Sequence, residues 1–210
     1  FLSLPILACT LVYTNWLSRW DWLIYDWNLA ACARPPPTDD IVIVAIDEQS
    51  LRELGRWPWS RRLHAQLLRK LDAVGVKAIA LDIVFAEPDA NDPGADTELA
   101  AALTDSGRVV LPVLNEQNRL GGQLLETLPI PALAAAAAGM GHVDVELDSD
   151  SVARSVYLRA GLGSPYWPTL ALALLEVTQP AAAQALLGQP TTRIGRPSPY
   201  AWQRDHRILI

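Results

Sequence analysis

The chain has 210 residues, of which half are apolar and 19% are charged, and its formal net charge is −6. A chain of this length and composition buries a substantial core, which excludes a disordered protein. Nucleic-acid binding requires a basic surface, and no run of Lys or Arg exceeds two residues, so we expect no nucleic-acid partner. The two cysteines and three histidines show no metal-ligand spacing, and we expect no bound metal or cofactor.

The N-terminal segment differs in composition from the rest of the chain. FLSLPILACTLVYTNWL, residues 1–17, contains no charged side chain and falls just short of the ~18–20 apolar residues that span a bilayer. Several Trp and Tyr residues follow, a composition typical of a membrane–water interface. We therefore expect a transmembrane or juxtamembrane helix within residues 1–34, continuous to about Trp27. The alternative is a long amphipathic helix packed on the core. Three consecutive prolines, Pro35 to Pro37, follow. Because prolines break a helix, we place the boundary between the N-terminal helix and the body of the protein here.

Residues 35–114 predict alternating strands and helices. DIVIVAID (40–47), VKAIALDIVF (76–85) and RVVLPVL (108–114) are short apolar runs of the kind found in buried parallel strands. Leucines at helical spacing follow the first strand, and DTELAAALTDSG (96–107), with Asp96 or Thr97 as the N-cap, follows the second. This alternation predicts a parallel sheet, and we expect its first strand to lie in the middle.

The second half of the chain predicts a different pattern. A short alanine-rich helix is followed by GHVDVELDSDSVARSVYLR (141–159), which alternates around an acidic turn like a β-hairpin. Two apolar helices follow, and RILI (207–210) reads as a strand. The predicted fold is therefore α/β, a mixed sheet with a parallel three-stranded core. Flanking helices, a later β-hairpin and the N-terminal membrane-proximal helix complete it.

Two acids lie at or near the C-terminal ends of the first two predicted strands. Asp47 and Asp82 are expected at the carboxyl ends of these strands, where open α/β sheets bind ligands. Carboxylates that meet at this edge can hold Mg²⁺ or Ca²⁺. The structural alternative, which we favour, is that they accept hydrogen bonds from backbone N–H groups or pair with Arg56 or Arg61.

The stretch GRWPWSR places two tryptophans at the start of a predicted helix. Pro58 disfavours a helical conformation at Trp57, and Ser60 is suited to the N-cap. The indoles either fix the helix on the sheet or form an aromatic wall beside the strand ends. If Trp57 is fully buried, its replacement by Ala costs roughly 3–5 kcal/mol.

The candidate ligand-binding residues are thus Asp47, Trp57, Trp59, Arg61 and Asp82. The chain contains neither a glycine-rich phosphate-binding motif nor a Ser or Cys nucleophile in a nucleophile elbow. His64 has no visible nucleophile beside it. We therefore predict no catalytic residue and no enzymatic activity.

Several of these segments together resemble a known family. IDEQSL (46–51), GRWPWSR (55–61), ALDIVF (80–85) and the acidic turn of 141–159 are similar to the second type of CHASE domain, a sensory module of bacterial membrane receptors. In that family a glycine usually follows the second acid of the turn, where this chain has Ser151.

The resemblance implies an inner-membrane protein whose sensory domain, residues 35–210, lies on the periplasmic side and is incomplete at its C-terminal end. It implies a cytoplasmic output, such as a nucleotide cyclase, a diguanylate cyclase or the kinase of a two-component system. It also implies an unknown small-molecule or environmental ligand. A homodimer is the expected assembly. Two alternatives stay open: a metal-assisted hydrolase using Asp47 and Asp82, and a structural dimerisation module.

Overall fold

The computed structural model describes residues 18–32, 40–117, 124–148, 150–188, 198 and 200–209. The chain divides into two compact units, residues 1–51 and 52–210.

The first unit contains helix α1 (Ser18–Cys32) and the start of helix α2 (Glu48–Leu54). Helix α1 carries the expected aromatic residues, and Trp27 is exposed on it. The predicted transmembrane segment, residues 1–17, lies outside the described residues. Of the helices that the structure describes, none has the length and apolar character needed to cross a bilayer.

The predicted first strand is not formed. Residues 41–47 have no strand pairing, and their apolar side chains are exposed, with Ile43 exposed over 87% of its surface. The prediction of a central strand here was therefore wrong. β-Branched residues favour extended backbone, but a strand also requires a neighbour that supplies hydrogen bonds.

The second unit contains a sheet with the predicted parallel three-stranded core. Strand β2 (Val109–Gln117) lies between β1 (Ile79–Ala80) and β4 (Gly139–His142), and both pairings are parallel. Strand β3 (Leu124–Thr127) pairs with the far end of β2 in the antiparallel direction. The fold class is confirmed, but its third parallel strand is β4, whose residues were predicted to belong partly to the alanine-rich helix and partly to the hairpin.

Three helices accompany this sheet: α3 (Arg61–Ala73), α4 (Pro93–Ser106) and α5 (Pro131–Ala136). Ser60 is the N-cap of α3, as predicted, and its Oγ accepts a hydrogen bond from the backbone N–H of Arg62. Helix α4 begins earlier than predicted, because Asp92 caps it and Pro93 occupies its first turn, a favoured site for proline. The core combines residues of all three helices with strand residues, including Leu68, Leu99, Leu103, Val109, Leu111 and Leu133.

A second, antiparallel sheet is formed by the C-terminal part of the chain. Strand β5 (Ser155–Leu162) lies between β6 (Trp167–Pro168) and β7 (Trp202–Leu209). Helices α6 (Leu170–Thr178) and α7 (Pro180–Leu187) accompany it. Residues 207–209 of the predicted strand RILI therefore belong to a longer strand, β7, and Ile210 lies outside the described residues.

In the described part of the predicted hairpin, an isolated bridge joins Glu146 to Ser155, and the Asp148 N–H donates to the Val152 carbonyl at 3.0 Å. Ser151 lies in its turn with φ 65°, a left-handed conformation that glycine adopts without steric strain. This geometry explains why a glycine suits the position.

Helix α6 begins in close contact with strand β4. A Cβ atom added at Gly141 would lie 2.6 Å from the Leu170 Cα and 2.7 Å from its backbone nitrogen. His142 and Thr169 form a parallel bridge beside this contact. Only glycine fits here, because the opposing atoms belong to backbone and cannot rotate away.

We expect the substitution Gly141→Ala to lower the free energy of unfolding by roughly 3 kcal/mol, at the upper end of overpacking effects. Gly139→Ala is the matched control in the same strand. An added Cβ there is 3.9 Å from the nearest atom, Val110 Cγ2, and we expect a change within about 1 kcal/mol. Urea unfolding of both variants measures the difference. Equal stabilities would contradict the close contact.

Candidate functional site

The two tryptophans of the WPW turn belong to an aromatic cluster. The ring centroids of Trp57 and Trp59 are 5.7 Å apart, and that of His64 lies 5.7 Å from Trp57 and 6.3 Å from Trp59. His64 in turn contacts Phe85 at 5.4 Å. The Trp59 indole N–H donates to the Gly55 carbonyl at 2.9 Å. His64 thus connects the two tryptophans, at the start of helix α3, to the segment that follows β1.

Arg61 joins the same cluster to helix α4. Its Nε lies 3.4 Å from Asp96 Oδ1, and its Nη2 donates to the Glu87 carbonyl at 2.9 Å. The guanidinium Cζ is 5.0 Å from the centroid of the Phe85 ring, within the range of a cation–π contact. The other Asp96 oxygen accepts the backbone N–H of Asp89 at 2.9 Å. Arg61 therefore fixes three segments relative to one another.

His64 is buried within this cluster. Burial lowers the pKa of its imidazole, and the positive charge of Arg61 lowers it further. A low pKa keeps the ring neutral at physiological pH, which suits packing among aromatic rings.

Of the two candidate acids, Asp47 belongs to the first unit, and Asp82 belongs to the second unit together with the cluster. Asp47, in the first unit, caps helix α2: its Oδ1 accepts hydrogen bonds from the backbone N–H and hydroxyl of Ser50 at 2.8 and 2.7 Å. These bonds lower the pKa of the Asp47 carboxyl. Asp82 is exposed. The acid that pairs with Arg61 is Asp96, which the sequence analysis had considered only as a helix cap.

The structure thus brings together Trp57, Trp59 and Arg61 of the five candidate residues. The cluster has a structural role at the start of α3, and ligand binding by these residues stays a prediction. Among the described residues, no group of three or more His, Cys, Asp and Glu side chains is arranged to hold a metal ion.

The burial of the cluster sets the expected cost of truncating it. Trp57 is 44% exposed, whereas Phe85 is only 2% exposed. We expect Trp57→Ala to cost about 1–2 kcal/mol, less than for a fully buried indole, and Phe85→Ala about 3–5 kcal/mol. Chemical denaturation of the two variants measures both values. A Trp57→Ala variant that loses as much stability as Phe85→Ala would contradict this ranking.

A second polar cluster surrounds Asp144, just beyond strand β4. Its carboxylate accepts hydrogen bonds from Arg204 Nε at 2.6 Å, Trp202 Nε1 at 2.9 Å and Asn115 Nδ2 at 3.2 Å. Burial raises the pKa of Asp144, but the hydrogen bonds from Arg204 and Trp202 outweigh it, and the net shift is downward. This carboxylate therefore joins the end of the parallel sheet to strand β7.

His142 is buried beside this cluster. Its Nδ1 accepts the backbone N–H of Asp144 at 3.3 Å, and its ring packs edge-on against Trp202 with centroids 6.3 Å apart. Burial lowers the pKa of His142 to about 4; Arg204 acts in the same direction, whereas Asp144 opposes it. The imidazole is thus neutral in the folded protein at neutral pH.

We expect the chain to lose stability as the pH falls from 6.5 to 4. The unfolded His142 has an ordinary pKa near 6.5, whereas the folded one titrates near 4, so only the unfolded state binds a proton in this window. The loss attributable to His142 is on the order of 3 kcal/mol. We expect His142→Asn to be less stable at pH 7 but less sensitive to acid. The same acid dependence in both proteins, measured by urea unfolding, would contradict this assignment.

A cavity lies between strand β4, the strands β5 and β6, and helix α6. Its volume is about 390 Å³, within the range of small-molecule sites. Its wall includes one ion pair, two aromatic residues and apolar side chains: Met140, Arg159, Tyr166, Trp167, Glu176 and Val177.

No sequence motif predicts this cavity. Its residues come from four elements separated along the chain, and no motif contains them. One signal was present: β5 (SVYLRAGL) and α6 (LALALLEVT) each contain a single charged residue, of opposite sign. A lone charge in an apolar element indicates a partner or a site, because a buried charge must be compensated.

Comparison with known proteins agrees with the resemblance seen in the sequence. A family model described as the CHASE2 domain matches residues 4–210, essentially the whole chain. The protein is therefore a sensory domain of the extracellular type found in receptors. The chain belongs to the CHASE2 domain family. No curated protein and no solved structure matches it.

Proposed function

We propose that the chain is the ligand-sensing input domain of a bacterial membrane-bound signal-transduction receptor, and that its ligand binds in the cavity beside α6. The observation that carries this proposal is the composition of the cavity wall. It combines apolar side chains with a few polar groups, as small-molecule sites do. The CHASE2 family supports the sensory role.

The position of the cavity suits the transmission of a signal. Strand β4 of the parallel sheet and β5 and β6 of the antiparallel sheet both contribute to its wall. Arg159 on β5 stands in register with Asp205 on β7, the last strand of the described chain. A ligand that shifts β5 would therefore displace β7 with it. The output that reads this movement is, in this proposal, a cyclase, a diguanylate cyclase or a protein kinase.

The proposed location is the inner membrane, with the sensory domain, residues 35–210, on the periplasmic side. The uncharged residues 1–17 would anchor the domain. Helix α1 carries exposed Leu23, Ile24 and Trp27, which suits a membrane surface or a second receptor chain. We propose a homodimer on the same grounds.

A thermal-shift screen of small metabolites tests ligand binding in the cavity. We expect at least one compound to raise the Tm of the 210-residue chain by about 5 °C at a concentration near 100 times its Kd. Val177→Phe adds volume to the wall of the cavity and should abolish this rise. Leu186→Phe is the control, because it places the same ring on the exposed face of α7.

Each outcome of this screen bears on the proposal. A rise seen with the chain and Leu186→Phe but not with Val177→Phe supports binding in the cavity. A rise of equal size in all three proteins would place the ligand elsewhere. No rise with any compound would count against a small-molecule sensor.

A further inference from the structure

Two opposite charges stand side by side on the wall of the cavity. Arg159 Nη2 on β5 donates to Glu176 Oε1 on α6 at 2.7 Å. The Arg159 Nη1 also donates to the Tyr166 carbonyl at 3.0 Å, which fixes the plane of the guanidinium. The side chains are 28% and 37% exposed, so both groups are accessible from the cavity.

Neither group has used its full hydrogen-bonding capacity. A guanidinium has five N–H donors, and two of those of Arg159 are used in the contacts just described. In the part of the chain that the structure describes, Glu176 Oε2 accepts no hydrogen bond. A ligand can therefore place an anionic group on Arg159 and a cationic group on Glu176 without breaking the pair.

The pairing of charges selects for a ligand that carries both signs. A simple anion would be attracted by Arg159 but repelled by Glu176, and a simple cation would meet the reverse. A zwitterion with its two charges a few ångströms apart is attracted by both, and charge-assisted hydrogen bonds of this kind are the strong ones. Electrostatic complementarity thus sets the class of ligand.

The rest of the wall is apolar. Met140, Ala173 and Val177 face the cavity together with the ring of Trp167. The Tyr166 and Trp167 rings pack at a tilt of 52°, with their centroids 5.0 Å apart. The hydroxyl of Tyr166 donates to Glu126, which holds this aromatic side of the cavity in place. These surfaces suit an apolar group of a few carbon atoms.

We infer that the cavity binds a free α-amino acid with an apolar side chain. This inference rests on the proposed sensory function. The ligand carboxylate accepts hydrogen bonds from Arg159, and its ammonium donates to Glu176. The apolar side chain lies against Met140, Val177 and Trp167. This assigns the class of ligand to a site built by β4, β5, β6 and α6.

Titration calorimetry with three compounds of related carbon skeleton tests the inference. L-Leucine carries both charges, 4-methylpentanoate lacks the ammonium, and isoamylamine lacks the carboxylate. At pH 7 we expect leucine to bind the 210-residue chain with a Kd below about 1 mM, and each analogue to bind at least about tenfold more weakly. Equal binding of the three compounds would overturn the inference.

Variants of the ion pair separate recognition from folding. We expect Arg159→Gln and Glu176→Gln each to weaken leucine binding at least about tenfold. Both variants should fold, because a partly exposed ion pair contributes little to stability. Circular dichroism checks that each variant is folded. If only one variant folds, its leucine affinity alone tests the inference. Arg69→Gln is the matched control. Arg69 on α3 pairs with Glu98 on α4 at 2.9 Å, and neither residue lines the cavity.

The outcomes distinguish this inference from the proposed function. Leucine binding that is lost in Arg159→Gln but kept in Arg69→Gln supports the inference. Leucine binding that is unchanged in all variants overturns it. A metabolite that carries a single charge or none, and whose binding Val177→Phe abolishes, also overturns it while the sensory function stands. Failure of leucine and of every compound in the screen would count against both.

Discussion

Strand β2 is the element on which the rest of the second unit depends. It pairs with β1 and β4 along its first half and with β3 along its second, and Val109, Val110, Leu111 and Val113 in it are fully buried. A strand covered on both faces requires helices or a second sheet against it. Helices α3, α4 and α5 pack with it in one core, while α6 contacts the neighbouring strand β4.

The close approach of α6 to β4 at Gly141 brings the two sheets together. It places the start of α6 beside His142, and the same helix then passes the cavity with Ala173, Glu176 and Val177. Just beyond the end of β4, Asp144 accepts hydrogen bonds from Trp202 and Arg204 of β7. The cavity and the buried carboxylate are thus two connections between the same pair of sheets, one open to a small molecule and one filled by side chains.

The aromatic cluster has a different role from the cavity. Trp57, Trp59 and Phe85 surround a neutral His64, and Arg61 closes the cluster through Asp96. These contacts secure the start of α3 on the segment after β1. The family motifs GRWPWSR and ALDIVF therefore contribute to a structural contact between α3 and the segment after β1. The cavity is built by residues outside these two motifs. For a sensory family this division is reasonable, because a shared scaffold can carry different ligands when the pocket residues vary.

The sequence by itself determined the α/β class, the helices that follow Ser60 and Pro131, and the family, because these depend on local patterns of apolar, capping and turn residues. It did not determine strand pairing: residues 41–47 have strand composition without a partner, and β4 completes the parallel core. The sequence also did not predict that Arg61 pairs with Asp96 or that Arg159 pairs with Glu176. Such contacts join residues that are distant in the chain, and only the packing of helices on two sheets decides which side chains meet.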